Sequence, residues 1–252
     1  MQVQLAKGGE FLKLKGEGAS SSQDRSYCRG LVKGFSAKSR RRLFDFFASL
    51  DRRGSAPEIF VTLTYSDLSY GSQWETWKGH LQAIARRLKR QHPGIAFVWR
   101  LEVKPRQTGD HVGELMPHFH FLVWNVDAID VDWLRASWTE IVGTGDTVRV
   151  NVKRVSGWRG ACSYLSKDIG KLGYSDVPTG RVWGVIGRAF LAIEIIAFDL
   201  TSREFYAMRR VLRGWLRRRL DKRIGWAKRR GNGLTCYIPY ACGLRLCAWV
   251  AG

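Results

Sequence analysis

Long apolar runs are missing from this chain. None approaches the ~20 residues that a bilayer-spanning helix needs, which excludes a helical membrane span within it. Residues 1–18 are polar, with Lys and Glu interleaved, and lack the apolar core of a secretory signal. Cysteine is scarce and odd in number: Cys28, Cys162, Cys236, Cys242 and Cys247 are the only five. Their wide spacing excludes a disulfide framework and fits reduced thiols in a cytoplasmic setting. The last three cluster without the C-x-x-C spacing of a zinc site. No G-x-x-x-x-G-K-[ST] run occurs, so there is no nucleotide-hydrolysing motor of the P-loop kind. There is no internal repeat. Acidic residues are also in short supply, 22 Asp and Glu against 42 Lys and Arg.

What is present follows from that imbalance. A net charge of +20 on 252 residues implies a polyanionic partner, most simply nucleic acid. An anionic membrane surface is the alternative, but no second anchor signal accompanies the charge. With 45% hydrophobic residues and eleven Trp the chain can build a real core. Its length suits one domain with extensions, or two small ones.

Residues 1–35 show little periodicity. Gly8-Gly9 and the Gly/Ser-rich run 16–22 predict a flexible lead-in. Leu43, Phe46, Phe47 and Leu50 fall at i, i+3, i+4 and i+7, so 36–50 reads as a helix capped by Ser36 or Ser39. Arg40, Arg41 and Arg42 stand in its first turn, where the helix dipole disfavours cations, and suggest contact with something negative. Strands are expected at 59–65, 95–103, through His118 and His120, at 148–153, 182–186 and 191–198. Helices are expected at 74–90, 130–142 and 156–169, with a long basic helix at 202–230. The strands at 95–103 and around His118 look like a hairpin. The order βαββαβα predicts an α+β fold, a central antiparallel sheet flanked by helices. The division read from these patterns is a lead-in at 1–35, a central domain at 36–200 and a basic helical extension at 201–252.

Chemistry concentrates in three places. His118 and His120 alternate in the apolar run Met116 to Trp124, so on a strand they project side by side while Phe119, Phe121 and Val123 face a core. Pro117 fits the first residue of such a strand. Downstream, Tyr164 and Lys167 are three apart and share one helix face. Glu102, on a neighbouring strand, shares a face with Val98 and Arg100 and can reach the histidine pair. Two imidazoles and a carboxylate suit a divalent cation acting as Lewis acid on a phosphate. A tyrosine hydroxyl, weak at its free pKa of about 10, needs such a neighbour to become a nucleophile. Lys167 can favour the phenolate or balance charge in the transition state. In a basic chain this combination points to phosphodiester cleavage by a tyrosine nucleophile. His111, His80 and His92 read as ordinary loop or helix histidines.

In this order the motifs resemble those of the HUH endonuclease superfamily, and within it the single-tyrosine rolling-circle replication initiators (Rep) of small plasmids or single-stranded DNA phages. Phe60-Val-Thr-Leu-Thr-Tyr65 is similar to the first motif, Pro117-His118-Phe119-His120-Phe121 to the His-hydrophobic-His motif, and Tyr164-Leu-Ser-Lys167 to the Tyr-x-x-Lys motif. The likeness covers about residues 36–200. It implies a ferredoxin-like sheet, His118, His120 and Glu102 as ligands of Mn2+ or Mg2+, and Tyr164 with Lys167 as the catalytic pair. It also implies nicking and rejoining of single-stranded origin DNA through a 5′-phosphotyrosine, in a bacterial host cytoplasm, with a helicase and polymerase borrowed from that host. A single-tyrosine transposase shares the motif order and is the nearest alternative; a non-catalytic basic nucleic-acid-binding protein is the other. For DNA-backbone contact the sequence singles out Arg40, Arg41 and Arg42, and Arg209, Arg210, Arg213, Arg217 and Arg218 of the basic extension.

Overall fold

A computed structural model describes residues 1–16, 35–54, 56–65, 74–108, 112–143, 148–158, 160–161, 180–220 and 233–252. The expected helix at 156–169, with Tyr164 and Lys167, lies mostly outside them, as does His111. In chain order the strands are β1 (Gln2–Ala6), β2 (Leu12–Lys15), β3 (Ile59–Thr64), β4 (Ala96–Pro105), β5 (Leu115–Trp124), β6 (Arg149–Arg154), β7 (Trp183–Ile186), β8 (Ile195–Asp199) and β9 (Leu234–Cys236). The helices are α1 (Ala37–Ser49), α2 (Trp74–Gln91), α3 (Val131–Val142), α4 (Ser202–Leu220) and α5 (Tyr240–Ala251). The protein is α+β, with two antiparallel sheets among the described residues. No helix among those residues is long and apolar enough to cross a membrane.

The chain divides into two compact units. The larger holds Arg29–Arg41 and Ser55–Leu191; the smaller holds Met1–Cys28, Arg42–Gly54 and Ala192–Gly252. In the larger unit the strand order is β6-β3-β5-β4-β7, antiparallel throughout. The hairpin β4–β5 runs its full length in register, from Ala96 opposite Trp124 to Pro105 opposite Leu115. Side chains alternate across the sheet, and one face is apolar: Val61, Leu63, Phe97, Leu101, Phe119, Phe121 and Val123 are all almost completely buried. Trp77, Leu81, Ile84 and Leu88 of α2 and Leu134 and Trp138 of α3 join the same core. Those residues recur at helical spacing, which is why both helices lie on the sheet. Asp130 starts α3 by accepting hydrogen bonds from the Asp132 and Trp133 N–H groups, and Gly143, at φ 73°, closes it. Ser36, not Ser39, caps α1: its hydroxyl oxygen accepts from the Ser39 N–H at 3.1 Å. Pro117 is the third residue of β5 rather than the first. Pairing with β3 begins only at His118, so Pro117 stands where β5 is paired on one side, a position proline tolerates.

The smaller unit departs most from expectation. The N-terminal residues are not a loose lead-in. β1 and β2 form a hairpin at the centre of a sheet ordered β8-β1-β2-β9. Val3, Leu5, Leu12 and Leu14 are fully buried against Phe205, Met208 and Leu212 of α4 and Leu234 and Cys236 of β9. The Gly8-Gly9 pair is the turn of this hairpin. Gly8 has φ 73°, and a Cβ on Gly9 would come 2.5 Å from the Ala48 carbonyl oxygen, so both positions demand glycine. Four alternating apolar residues in two short strands are a weak signal, and their partners lie some two hundred positions downstream. The C-terminal part also differs. A helix covers Ser202–Leu220 of the stretch expected at 202–230, and β9 and α5 follow within the residues expected to be a tail. Residues 201–252 are therefore part of a mixed unit with the N-terminus, rather than a separate helical extension.

Candidate functional site

The second face of the larger sheet is polar where the first is apolar. Directly paired residues of antiparallel strands share a face. One row across the sheet reads Arg149, Thr64, His118 and Glu102, from β6, β3, β5 and β4. The next reads Asn151, Thr62, His120, Arg100 and Trp183. Both rows sit on a floor of buried Leu63, Leu101, Phe119 and Phe121. The residue types dictate this arrangement: in each strand the intervening positions are large and apolar, so only one register buries them all.

Two threonines orient the two histidines. The Thr62 hydroxyl is 3.1 Å from His120 Nδ1, and the Thr64 hydroxyl is 3.0 Å from His118 Nδ1. The imidazoles stack at 18° to one another with ring centroids 6.4 Å apart, and Phe60 lies nearly parallel to His120 at 5.6 Å. On its far side, His120 Nε2–H donates to Glu102 Oε2 at 3.0 Å. The same carboxylate oxygen is 2.7 Å from Lys104 Nζ. Burial alone would raise the pKa of Glu102, but the hydrogen bonds from His120 and Lys104 hold it down to about 2. Ionised, Glu102 can only accept, so the proton shared with His120 sits on Nε2, and the Thr62 hydroxyl donates to Nδ1. Burial, helped by the repulsion of His120, pushes His118 down to about 4, so it is neutral at pH 7.

Glu102, His118 and His120 line an open cleft of about 540 Å3, together with Thr64, Lys104, Arg106 and Arg149. Arg106 is shifted down, by burial first and then by the Arg149 charge. Beyond the second row the Arg100 guanidinium lies 4.4 Å over the Phe35 ring, and Trp183 Nε1–H donates to Ser39 Oγ at 2.9 Å. Cation binding finds part of what it needs here. The 3.0 Å between His120 Nε2 and Glu102 Oε2 is the separation of two adjacent ligands at about 2.1 Å from one octahedral ion. Neutral imidazole and carboxylate are also donors that suit Mn2+ and Mg2+. His118 stands beside the pair, but among the described residues no three His, Cys, Asp or Glu side chains converge on a common metal position.

The sequence thus places His118, His120 and Glu102 together correctly on one face. It does not single out Thr62, Thr64, Lys104, Arg106 or Arg149. The alternation Thr62-x-Thr64 was a usable signal, since it mirrors His118-x-His120, but threonine in a strand is ordinarily a matter of β-propensity. His80 is not a simple helix-surface histidine: the buried Tyr65 hydroxyl donates to its Nδ1 at 3.0 Å. Of the basic residues expected to meet DNA, Arg40 is half-buried and Arg41 exposed at the start of α1 in the larger unit. Arg42 is exposed and belongs to the smaller unit. In that unit Arg209, Arg210, Arg213 and Arg217 line a second open cleft of about 500 Å3 along α4, with Tyr206 and Gly214. Arg218 is exposed beside it. Burial, then the charges of Arg209 and Arg217, push the Arg213 guanidinium down, as a cluster without nearby carboxylates requires.

An α+β protein with a polar sheet face carrying paired imidazoles, an ionised carboxylate and a rim of cations has the equipment of a phosphate-handling enzyme. Residues 58–172 match the family model for Replication-associated protein ORF2, a family of rolling-circle replication initiators of phage and plasmid origin. The matched segment is just under half of the chain and runs from the start of β3 past Tyr164 and Lys167. No curated protein and no solved structure matches the chain.

Proposed function

We propose that this protein is a rolling-circle replication initiator of the HUH kind, which nicks and rejoins one strand of origin DNA through Tyr164. The observation that carries the reading is the His118–His120–Glu102 cluster on the polar sheet face, inside the segment that matches the replication-associated family. The connectivity supports it. β3-α2-β4-β5-α3-β6 with the order β6-β3-β5-β4 is the split βαβ arrangement of ferredoxin-like folds. That family match also favours initiation over transposition.

Under this reading His118, His120 and Glu102 hold Mn2+ or Mg2+, which would polarise the scissile phosphate when bound. Thr62 and Thr64 keep the imidazoles in place. Lys104 leaves Glu102 ionised, and the cations of the rim accept the phosphate oxygens. The Tyr164 oxygen attacks phosphorus, the bond to the 3′ oxygen breaks, and the hydroxyl proton passes through solvent to that oxygen. A free 3′-OH and a 5′-phosphotyrosine result, with Lys167 balancing charge as the phenolate forms. The reverse reaction rejoins the strand. Because the ester bond is conserved, no separate energy source is needed. Single-stranded DNA and an origin sequence are the direct partners, and unwinding falls to a host helicase.

The deciding experiment is a nicking assay on single-stranded origin DNA with Mn2+ or Mg2+, followed by mass spectrometry of the tyrosyl adduct. Wild type should form an adduct on Tyr164, and Y164F should form none. An adduct on Y164F, or no cleavage by wild type with either metal, would overturn the reading.

A further inference from the structure

Strand β6 is an edge of the larger sheet. Arg149, Asn151 and Lys153 occupy alternate positions on it, so they point to one face about 6.6 Å apart. Their partners on β3 are Thr64, Thr62 and Phe60, two of which carry the histidine pair. The three side chains therefore lie on the polar face, and all are exposed. Among the described residues none of the three forms an ion pair. Arg149 is also in the first row with His118 and Glu102, at the rim of the cleft. The only carboxylate in the two rows, Glu102, is already committed to Lys104 and His120.

From this geometry we infer that β6 is the track along which single-stranded DNA enters the cleft. Arg149 holds the phosphate next to the histidines, Lys153 holds one farther out, and the Asn151 amide offers donor and acceptor to the nucleotide between them. The inference rests on the initiator reading for the identity of the nucleic acid, but it concerns binding and not cleavage. A straight edge strand spaces its cations along a line, and an extended backbone can follow such a line without being wrapped. The line ends at a cleft whose cations and histidines can address one phosphodiester. Edge strands also carry Lys and Arg simply to prevent pairing with other sheets, and that role makes no demand on nucleic acid.

The test measures fluorescence anisotropy of a labelled single-stranded oligonucleotide against salt, with no divalent metal present. In R149A/K153A the affinity should fall roughly tenfold for each lost charge-assisted contact. The slope of log K against log salt should shrink by about 1.4, since each single-strand phosphate contact contributes about 0.7. R149K/K153R should restore the slope, because charge rather than shape sets it. A duplex of the same sequence should be less affected. Unchanged affinity and slope in a folded double variant would overturn the proposal and leave the charges as edge protection. A greater loss on duplex than on single strands would overturn it too. Failure of the initiator reading looks different: wild type would bind the oligonucleotide along β6 and yet never form the tyrosyl adduct.

Discussion

Thr64 and His118 face one another across β3 and β5, the threonine hydroxyl 3.0 Å from His118 Nδ1. Thr62 repeats the relationship with His120 one row away. A hydroxyl can donate or accept, so it supports an imidazole whichever nitrogen carries the proton. Groups that orient metal-bound histidines commonly contribute 10–100-fold to affinity. T62V and T64V should each weaken Mn2+ binding by about that factor, measured calorimetrically on the DNA-free protein. T62S and T64S should stay close to wild type. Equal affinity in the valine variants would show that packing alone sets the rings.

The half of the site that was legible is the half carried by unusual residues. Histidines two apart in an apolar run are rare enough to notice, and their strand period gives their face. Glu102 was reachable because it follows Arg100 on a strand of clear alternation. The threonines were not, because their role depends on the register of β3 against β5, which no local pattern states. The N-terminal hairpin was hidden for the same reason. Val3, Leu5, Leu12 and Leu14 become a core only when α4 and β9 arrive from the far end of the chain.

That hairpin supplies the two central strands of its sheet, which makes it indispensable to the smaller unit. Leu5 is fully buried, and L5A should destabilise this unit by about 2–5 kcal/mol. Removal of residues 1–16 should leave β8 and β9 without partners and abolish the unit's cooperative unfolding. Urea denaturation followed by Trp215 fluorescence reports on it. A truncated chain with a wild-type transition would contradict the placement of β1 and β2.

Trp138 connects the core to the site. Its side chain is fully buried, and its indole N–H donates to the Thr64 carbonyl at 3.2 Å, at the end of the strand that holds His118. W138A should cost about 3–5 kcal/mol of stability through the cavity it leaves. W138F keeps most of the volume but loses the hydrogen bond, and should cost about 1 kcal/mol. Thr64 would then be less firmly placed, so W138F should also reduce Mn2+ affinity more than an equally destabilising change elsewhere in the core, such as I84V. Loss of stability without loss of metal affinity would separate the two roles.

His80 makes the larger unit sensitive to mild acid. Burial lowers its pKa below the ordinary value near 6.5, while Tyr65 donates to its Nδ1. As pH falls through 6.5 the unfolded chain takes up a proton that the folded state still refuses. Stability is therefore full above that range and declines below it. His92 and His118 are shifted in the same direction and add to the decline. In H80Q the Tyr65 hydroxyl can still donate to an amide oxygen, but position 80 no longer titrates. The unfolding free energy of H80Q, measured in urea with chelator between pH 7.5 and 5.5, should fall less steeply than that of wild type without becoming flat. Identical slopes would mean that His80 titrates alike in the folded and unfolded chains, contrary to its burial against Tyr65 and Trp138.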